Sequence, residues 1–264
     1  MEKNTRTKQL CVSKNEGGSI DMAGHSKWSN IKHRKERVDA KRGKIFTKIG
    51  RELAVAVKTG GPDPENNSRL ADVVAKAKAN NMPNDSITRS IKKAAGDVDT
   101  STYEDIVYEG YGPAGVAVIV EAMTDNRNRT AAEVRHSFDR CGGNLGTSGC
   151  VSFMFDKKGV IIIDAQTVKD ADELMMDALD AGAEDFSEDD GVYEVLTSTE
   201  DYSKIRSALE SKDYSFASAG IEMIPQTRAS IDDPKQVALM EKLIDLLEDN
   251  DDVMEIYHNL NQED

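Results

Sequence analysis

Over residues 41–58 the apolar positions Ile45, Phe46, Ile49, Leu53, Ala56 and Val57 recur at helical spacing and share one arc. Lys41, Lys44, Lys48, Arg51 and Lys58 fall on the opposite arc. The spacing predicts a helix with a core face and, behind it, a row of positive charge. Gly60-Gly61-Pro62 ends it, with glycine just past the last turn and proline beyond. A second helix is expected over Ser68–Ala79, turning Leu70, Val73, Val74 and Ala77 inward. After a break at 80–83, a third turns Ile87, Ile91 and Ala94 inward and Arg89, Lys92 and Lys93 outward, and Gly96 closes it. Three short amphipathic helices can bury a shared face, which makes 22–98 a small helical domain.

Beyond Gly96 the period shortens. Strands are expected over 103–109 and 115–123, then a helix opened by a Thr130/Glu133 capping box with Val134 and Phe138 inside. Residues 150–155 and 160–164 read as two strands separated by Asp156-Lys-Lys-Gly159. From there the order is strand, helix (168–181), strand (183–187), strand (191–197), helix (201–211) and strand (near 214–217). That is the β-α-β-β-α-β order of a ferredoxin-like unit. A strand (221–230), a helix (234–247) and a strand (253–260) follow. The predicted fold is therefore α+β: an N-terminal three-helix domain, then two α+β domains with ferredoxin-like units, one inserted in the other. The expected boundaries are a basic helical domain at 22–98, an α+β domain at 99–157 plus 219–264, and an inserted acidic ferredoxin-like domain at 158–218. Residues 1–21 are polar and aperiodic, and read as a disordered extension ahead of Met22.

The charge is divided just as unevenly. The net charge is -14. Residues 22–93 carry 17 Lys/Arg against 7 Asp/Glu, whereas 94–264 carry 13 against 38. A basic domain joined to an acidic remainder points to an anionic partner for the first. The second must face away from that partner or meet something basic. No apolar run approaches the ~20 residues of a membrane span. Cys11, Cys141 and Cys150 form no C-x-x-C pair and no disulfide framework. These features describe a soluble, reduced, cytoplasmic protein with no membrane partner.

Candidate chemistry is sparse. His25 and His33, or Cys141 and Cys150, lack zinc spacing, so no metal is expected. Gly146-Thr-Ser-Gly-Cys150 is not a nucleophile elbow, and Gly142-Gly-Asn-Leu-Gly146 is no phosphate loop. Between Asp164 and Asp201, 14 acids face one base, Lys169, which fits a solvated acidic surface better than a pair of catalytic carboxylates. No catalytic residue, cofactor or enzyme activity is expected. The densest signal is the tract from His25 to Arg37, which sets Lys27, Lys32, Arg34, Lys35 and Arg37 beside Trp28 and His33. It runs on into Lys41, Arg42, Lys44, Lys48 and Arg51 on the first helix. With Arg89, Lys92 and Lys93 these form the expected nucleic-acid-binding set.

Met22-Ala-Gly-His-Ser-Lys-Trp-Ser-Asn-Ile-Lys-His-Arg-Lys35 and Lys41-Arg-Gly-Lys-Ile-Phe-Thr-Lys48 resemble the opening of the YebC/PmpR family. Met82-Pro-Asn-Asp-Ser-Ile-Thr-Arg-Ser-Ile-Lys-Lys93, Tyr108-Glu-Gly-Tyr-Gly-Pro-Ala-Gly115 and Thr124-Asp-Asn-Arg-Asn-Arg-Thr130 resemble further boxes of it. The resemblance covers 22–264. It implies three domains, no enzymatic activity and, for bacterial members, DNA-binding regulation of transcription. Similar proteins, among them a mitochondrial translational activator of cytochrome oxidase, act on the ribosome, and the same resemblance extends to relief of stalling at proline-rich stretches. Under either reading the basic domain meets DNA or ribosomal RNA. The acidic domains are then available to basic ribosomal proteins or to RNA polymerase.

Two features of the residues bear on that choice. The break at 80–83 spaces two helices as a helix-turn-helix would, but the second opens Asn84-Asp85-Ser86, and Asp85 would meet phosphate unfavourably. Trp28 and Phe46 are the only aromatics over 22–96, so a stacking platform for single strands is not expected.

Overall fold

A computed structural model of the chain describes the backbone of residues 25–96, 103–189 and 191–261, and the side chains of those residues except 25–42 and 189. The reading of 1–21 as an extension lies outside the described residues.

The fold is α+β, as the periodicity predicts. Its first helix is far longer than expected: α1 runs His25–Gly60, so the basic tract and the amphipathic segment are one element. No proline interrupts it. Gly43 and Gly50 lie inside, and an interior glycine costs only ~1 kcal/mol relative to alanine, too little to end a long helix. Gly61 does end it, at φ +89, with its N–H on Val57 O. Helices α2 (Ser68–Ala79) and α3 (Asn84–Gly96) pack on the second half of α1. Asn67 caps α2 by accepting from Leu70 N, and its amide donates to Ala56 O and Gly61 O, fixing the α1–α2 corner. The shared core is Ile49, Leu53, Ala56, Val57, Leu70, Val73, Ala77, Met82, Ile87 and Ala94.

Two four-stranded antiparallel sheets follow. The first has the order β3-β1-β2-β8, from β1 (Glu104–Tyr111), β2 (Ala117–Thr124), β3 (Asn144–Leu145) and β8 (Val253–His258). Helices α4 (Arg127–Arg140) and α7 (Pro234–Asp249) cover one face, burying Val118, Val120, Val134, Phe138, Met240 and Leu243 together. The second has the order β5-β6-β4-β7, from β4 (Phe155–Asp164), β5 (Asp185–Asp189), β6 (Val192–Thr197) and β7 (Phe216–Pro225). Helices α5 (Ala171–Ala181) and α6 (Tyr202–Glu210) lie on it over Ile161, Ile163, Leu174, Val195, Ile205 and Leu209. This is the ferredoxin-like arrangement.

Three local expectations are corrected. The strand expected at 150–155 is mostly turn and 3₁₀ helix, and 156–159 is no linker but part of the first half of β4. That strand pairs with β7 from Phe155↔Pro225 to Ile163↔Phe216. Gly159 is there for close approach and not for a turn: an added Cβ would collide with Thr197 and Tyr202. Likewise the strands expected near 214–217 and over 221–230 are the single strand β7. The positions 157/158 and 218/219 therefore fall inside paired strands. Lastly, α4 is capped by Asn126, which accepts from Arg129 N; Thr130 is one turn inside the helix and fully buried.

Candidate nucleic-acid interface

The expected basic set falls into three groups. His25, Lys27, Trp28, Lys32, His33, Arg34, Lys35, Arg37, Lys41 and Arg42 lie outside the described side chains; their backbone is the leading half of α1. Arg89, Lys92 and Lys93 are exposed on α3, and among the described residues no ion pair holds any of them. Lys44, Lys48 and Arg51 are the third group, and the structure gives them partners within the chain.

Lys44 Nζ lies 3.0 Å from Asp249 Oδ1 and 3.2 Å from Asp249 O. Lys48 Nζ donates to Glu248 O at 3.1 Å. Arg51 Nη1 donates to Asp251 O at 2.7 Å and to Asp252 Oδ1 at 3.1 Å. The second half of the charge row therefore lies along the C-terminal end of α7. The last carbonyls of a helix have no partner within it and carry partial negative charge, so ammonium and guanidinium groups satisfy them. Each of these three residues of the expected phosphate-binding row therefore has a hydrogen-bond acceptor within the chain. Part of the acidic remainder, the end of α7, thus meets a basic surface within its own chain. The exposed Lys44–Asp249 pair contributes at most ~1 kcal/mol, so the junction depends more on its buried members.

Asp252 is the chief of these. Its side chain is 6% exposed. Besides Arg51, Arg129 Nη2 donates to it at 2.7 Å and Thr130 Oγ1 lies at 2.8 Å. Burial pushes this carboxyl up, but the hydrogen bonds from Arg129 and Thr130 outweigh it and hold the pKa below the usual aspartate value. The Thr124–Thr130 box thus acts through structure: Asn126 caps α4, and Arg129 and Thr130 receive Asp252. A second link is Lys76 of α2, whose Nζ sits 2.8 Å from Glu52 and 3.0 Å from Glu255 on β8. Burial alone would lower its pKa, yet the Glu255 and Glu52 carboxylates raise it above the ordinary lysine value. One turn earlier on α2, Asp72 lies 3.4 Å from Arg206 of α6.

The Tyr108–Gly115 box is structural too. Glu109, buried on β1, accepts from the backbone N–H groups of Gly149 (2.7 Å), Val151 (3.0 Å) and Ser152 (2.8 Å). Burial raises this carboxyl, and the three N–H groups prevail and lower it. The segment Gly149–Ser152, at the end of the Gly146–Cys150 turn, is therefore wrapped around a carboxylate.

The sequence reading missed the α7 terminus as a partner. A signal was present: Glu248, Asp249, Asp251 and Asp252 crowd a helix C-terminus, where the dipole disfavours acids unless cations arrive from elsewhere. Among the described residues no cluster of three or more His, Cys, Asp or Glu could hold a metal. No described helix is long and apolar enough to cross a membrane.

A three-helix head clasped by its own acidic α+β body is thus the class of protein that the geometry defines. Comparison with known proteins places it: residues 26–97 match the family described as "TACO1/YebC protein N-terminal domain", and 103–260 that described as "TACO1/YebC second and third domain". The chain belongs to the TACO1/YebC family. A relative from Acetivibrio thermocellus is 66% identical over 238 residues, covering 90% of this chain and 98% of its own. One from Caldicellulosiruptor saccharolyticus is 60% identical over 242 residues, covering 92% and 100%. Both are named "Probable transcriptional regulatory protein". The crystal structure of a conserved hypothetical protein from Aquifex aeolicus superposes with a TM-score of 0.77 at 43% identity, covering 86% of this chain and 93% of that one.

Proposed function

We propose that the chain is a non-enzymatic regulator of transcription that binds nucleic acid through its helical domain, with the leading half of α1 and the outer face of α3 as the contact surface. One observation carries this. Where Lys44, Lys48, Arg51 and Lys76 are held by acceptors within the chain, Arg89, Lys92 and Lys93 stand exposed with no ion pair among the described residues. The leading half of α1 is the richest source of positive charge by sequence. Cations left without an internal acid are those available to phosphate. The names of the relatives support transcription as the process regulated.

The contacts are mostly to backbone. Asp85, exposed in the first turn of α3, sits where a recognition helix brings its base-reading residues to the groove. The same observation favours a second reading, folded ribosomal RNA recognised by shape and phosphate. Titration of the full chain with a duplex DNA and with a folded RNA hairpin across a salt series tests both. Replacing Arg89, Lys92 and Lys93 with glutamine should reduce the slope of log K against log salt by roughly 2–3, since each lost phosphate contact removes 0.7–0.9. An unchanged slope would exclude α3 from the surface. Preference for one nucleic acid at matched salt decides between the two readings.

A further inference from the structure

Seven large apolar side chains are exposed among the described residues, and three of them lie on α5: Met175 (37%), Met176 (62%) and Leu179 (48%). The helix already has a core face, since Leu174 and Ala178 are fully buried under it. Met175 and Leu179 are four residues apart and Met176 and Leu179 three, so the three side chains adjoin on the outer surface. Asp172 lies one turn before both methionines, and Glu173 and Asp180 border the patch; all three acids are exposed and none has a cationic partner among the described residues. Asp177 differs, being held by Lys212 and by Tyr214 Oη at 3.0 Å.

Helix formation does not account for this surface. Asp172 and Glu173 suit the first turn, where the dipole favours acids. Asp180 is near the last turn, where the dipole opposes it and no basic residue compensates. Three clustered apolar groups on a solvent face, rimmed by acids, are an interaction surface and not a helix-forming pattern.

We propose that the outer face of α5 docks a basic amphipathic helix of a partner protein, with Met175, Met176 and Leu179 receiving its apolar stripe and Asp172, Glu173 and Asp180 meeting its lysines and arginines. Methionine suits such a surface because its unbranched thioether adapts to the groove it meets. The rim argues against nucleic acid, whose phosphates it repels. It also argues against a second copy docked α5 on α5, because a two-fold contact would set like charges against each other. The proposal goes beyond nucleic-acid binding and stands or falls independently of it, since the two surfaces share no residue.

The test uses the full chain and three labelled synthetic peptides: an amphipathic leucine–lysine helix, the same composition scrambled to break the stripe, and polylysine of equal charge. The amphipathic helix should bind at least about tenfold tighter than either control, a difference of about 1.4 kcal/mol. The Met175→Ser, Met176→Ser, Leu179→Ser variant should lose that preference while its unfolding midpoint and duplex-DNA titration stay at wild-type values. The Asp172→Asn, Glu173→Gln, Asp180→Asn variant should keep the preference for the stripe but bind more weakly, with a flatter salt dependence. Equal binding of all three peptides overturns the proposal, as does a serine variant that keeps the preference. Sedimentation would overturn it too, if the wild type proves to be a dimer that the serine variant dissociates.

Discussion

The guanidinium of Arg51, on the core-building half of α1, reaches the carboxylate of Asp252 just beyond α7, at 3.1 Å and across 201 residues of sequence. Asp252 also takes Arg129 from the start of α4, so one carboxylate joins the helical head to the first α+β domain. The Asp252→Ala change leaves two guanidinium groups facing an empty, largely dry position. Loss of a carboxylate from such a network is expected to cost about 2–4 kcal/mol. The Arg51→Ala change should cost less, about 1 kcal/mol, since Arg129 and Thr130 still satisfy Asp252. Urea denaturation followed by circular dichroism checks the order; equal losses would mean that Asp252 acts through Arg51 alone.

Acid should weaken the contacts of Asp252 and of Glu109 alike. The pKa values of Asp252 and Glu109 are both held down in the folded chain, so their contribution to stability is complete above the ordinary carboxyl range and is lost as pH falls through the depressed values. The unfolding midpoint should therefore hold steady from pH 7 to about 5 and drop steeply below about 4. The Glu109→Gln change keeps the size of the side chain but gives three backbone donors a weaker, neutral acceptor. It should lower the midpoint at pH 7 and flatten the acid limb. An acid limb as steep as that of the wild type would show that Glu109 takes no part in it.

Gly159 offers a packing test. A methyl group there would strike Thr197 and Tyr202, which belong to the neighbouring strand and the helix above. The Gly159→Ala change is expected to cost about 1–3 kcal/mol by overpacking. Substitution at Gly220, which has open space around the added Cβ in the partner strand β7, should cost much less. A midpoint comparison of the two variants checks this, and similar midpoints would show that Thr197 and Tyr202 give way to the added methyl group.

Periodicity carried most of the fold. The arc of Ile49 and Leu53, the inward faces of α2 and α3 and the β-α-β-β-α-β order were all legible, because buried faces repeat at 3.6 or 2 residues. Boundaries were less so. Asp156-Lys-Lys-Gly159 looks like a turn from its composition, and only pairing with β7 makes it a strand. Of the candidate surface, the amphipathic sign of α1 was readable but not what its charges meet. Lys44 and Lys48 have the same one-dimensional pattern whether they face phosphate or the α7 carbonyls. That choice depends on contacts about 200 residues apart, which no local pattern contains.

Paired substitutions on α1 and α3 separate these two fates for the charge row. Lys44, Lys48 and Arg51 satisfy carbonyls and carboxylates at the end of α7, so their replacement with glutamine removes internal contacts first. The triple variant should unfold at a lower midpoint. It should also change the slope of log K against log salt by less than about one unit, because each of these groups is held by an acceptor within the chain. The Arg89, Lys92 and Lys93 glutamine variant should do the reverse: an unchanged midpoint and a slope reduced by roughly 2–3. The outcome that sinks this assignment is a Lys44, Lys48 and Arg51 variant with a wild-type midpoint and a slope reduced by about 3. In that case the α1 row would leave α7 to bind phosphate, and the acidic helix end would be a competitor that nucleic acid displaces. Asp249→Asn and Asp252→Asn would then tighten binding by weakening that competitor, whereas under the present assignment they destabilise the chain and leave affinity at low denaturant unchanged.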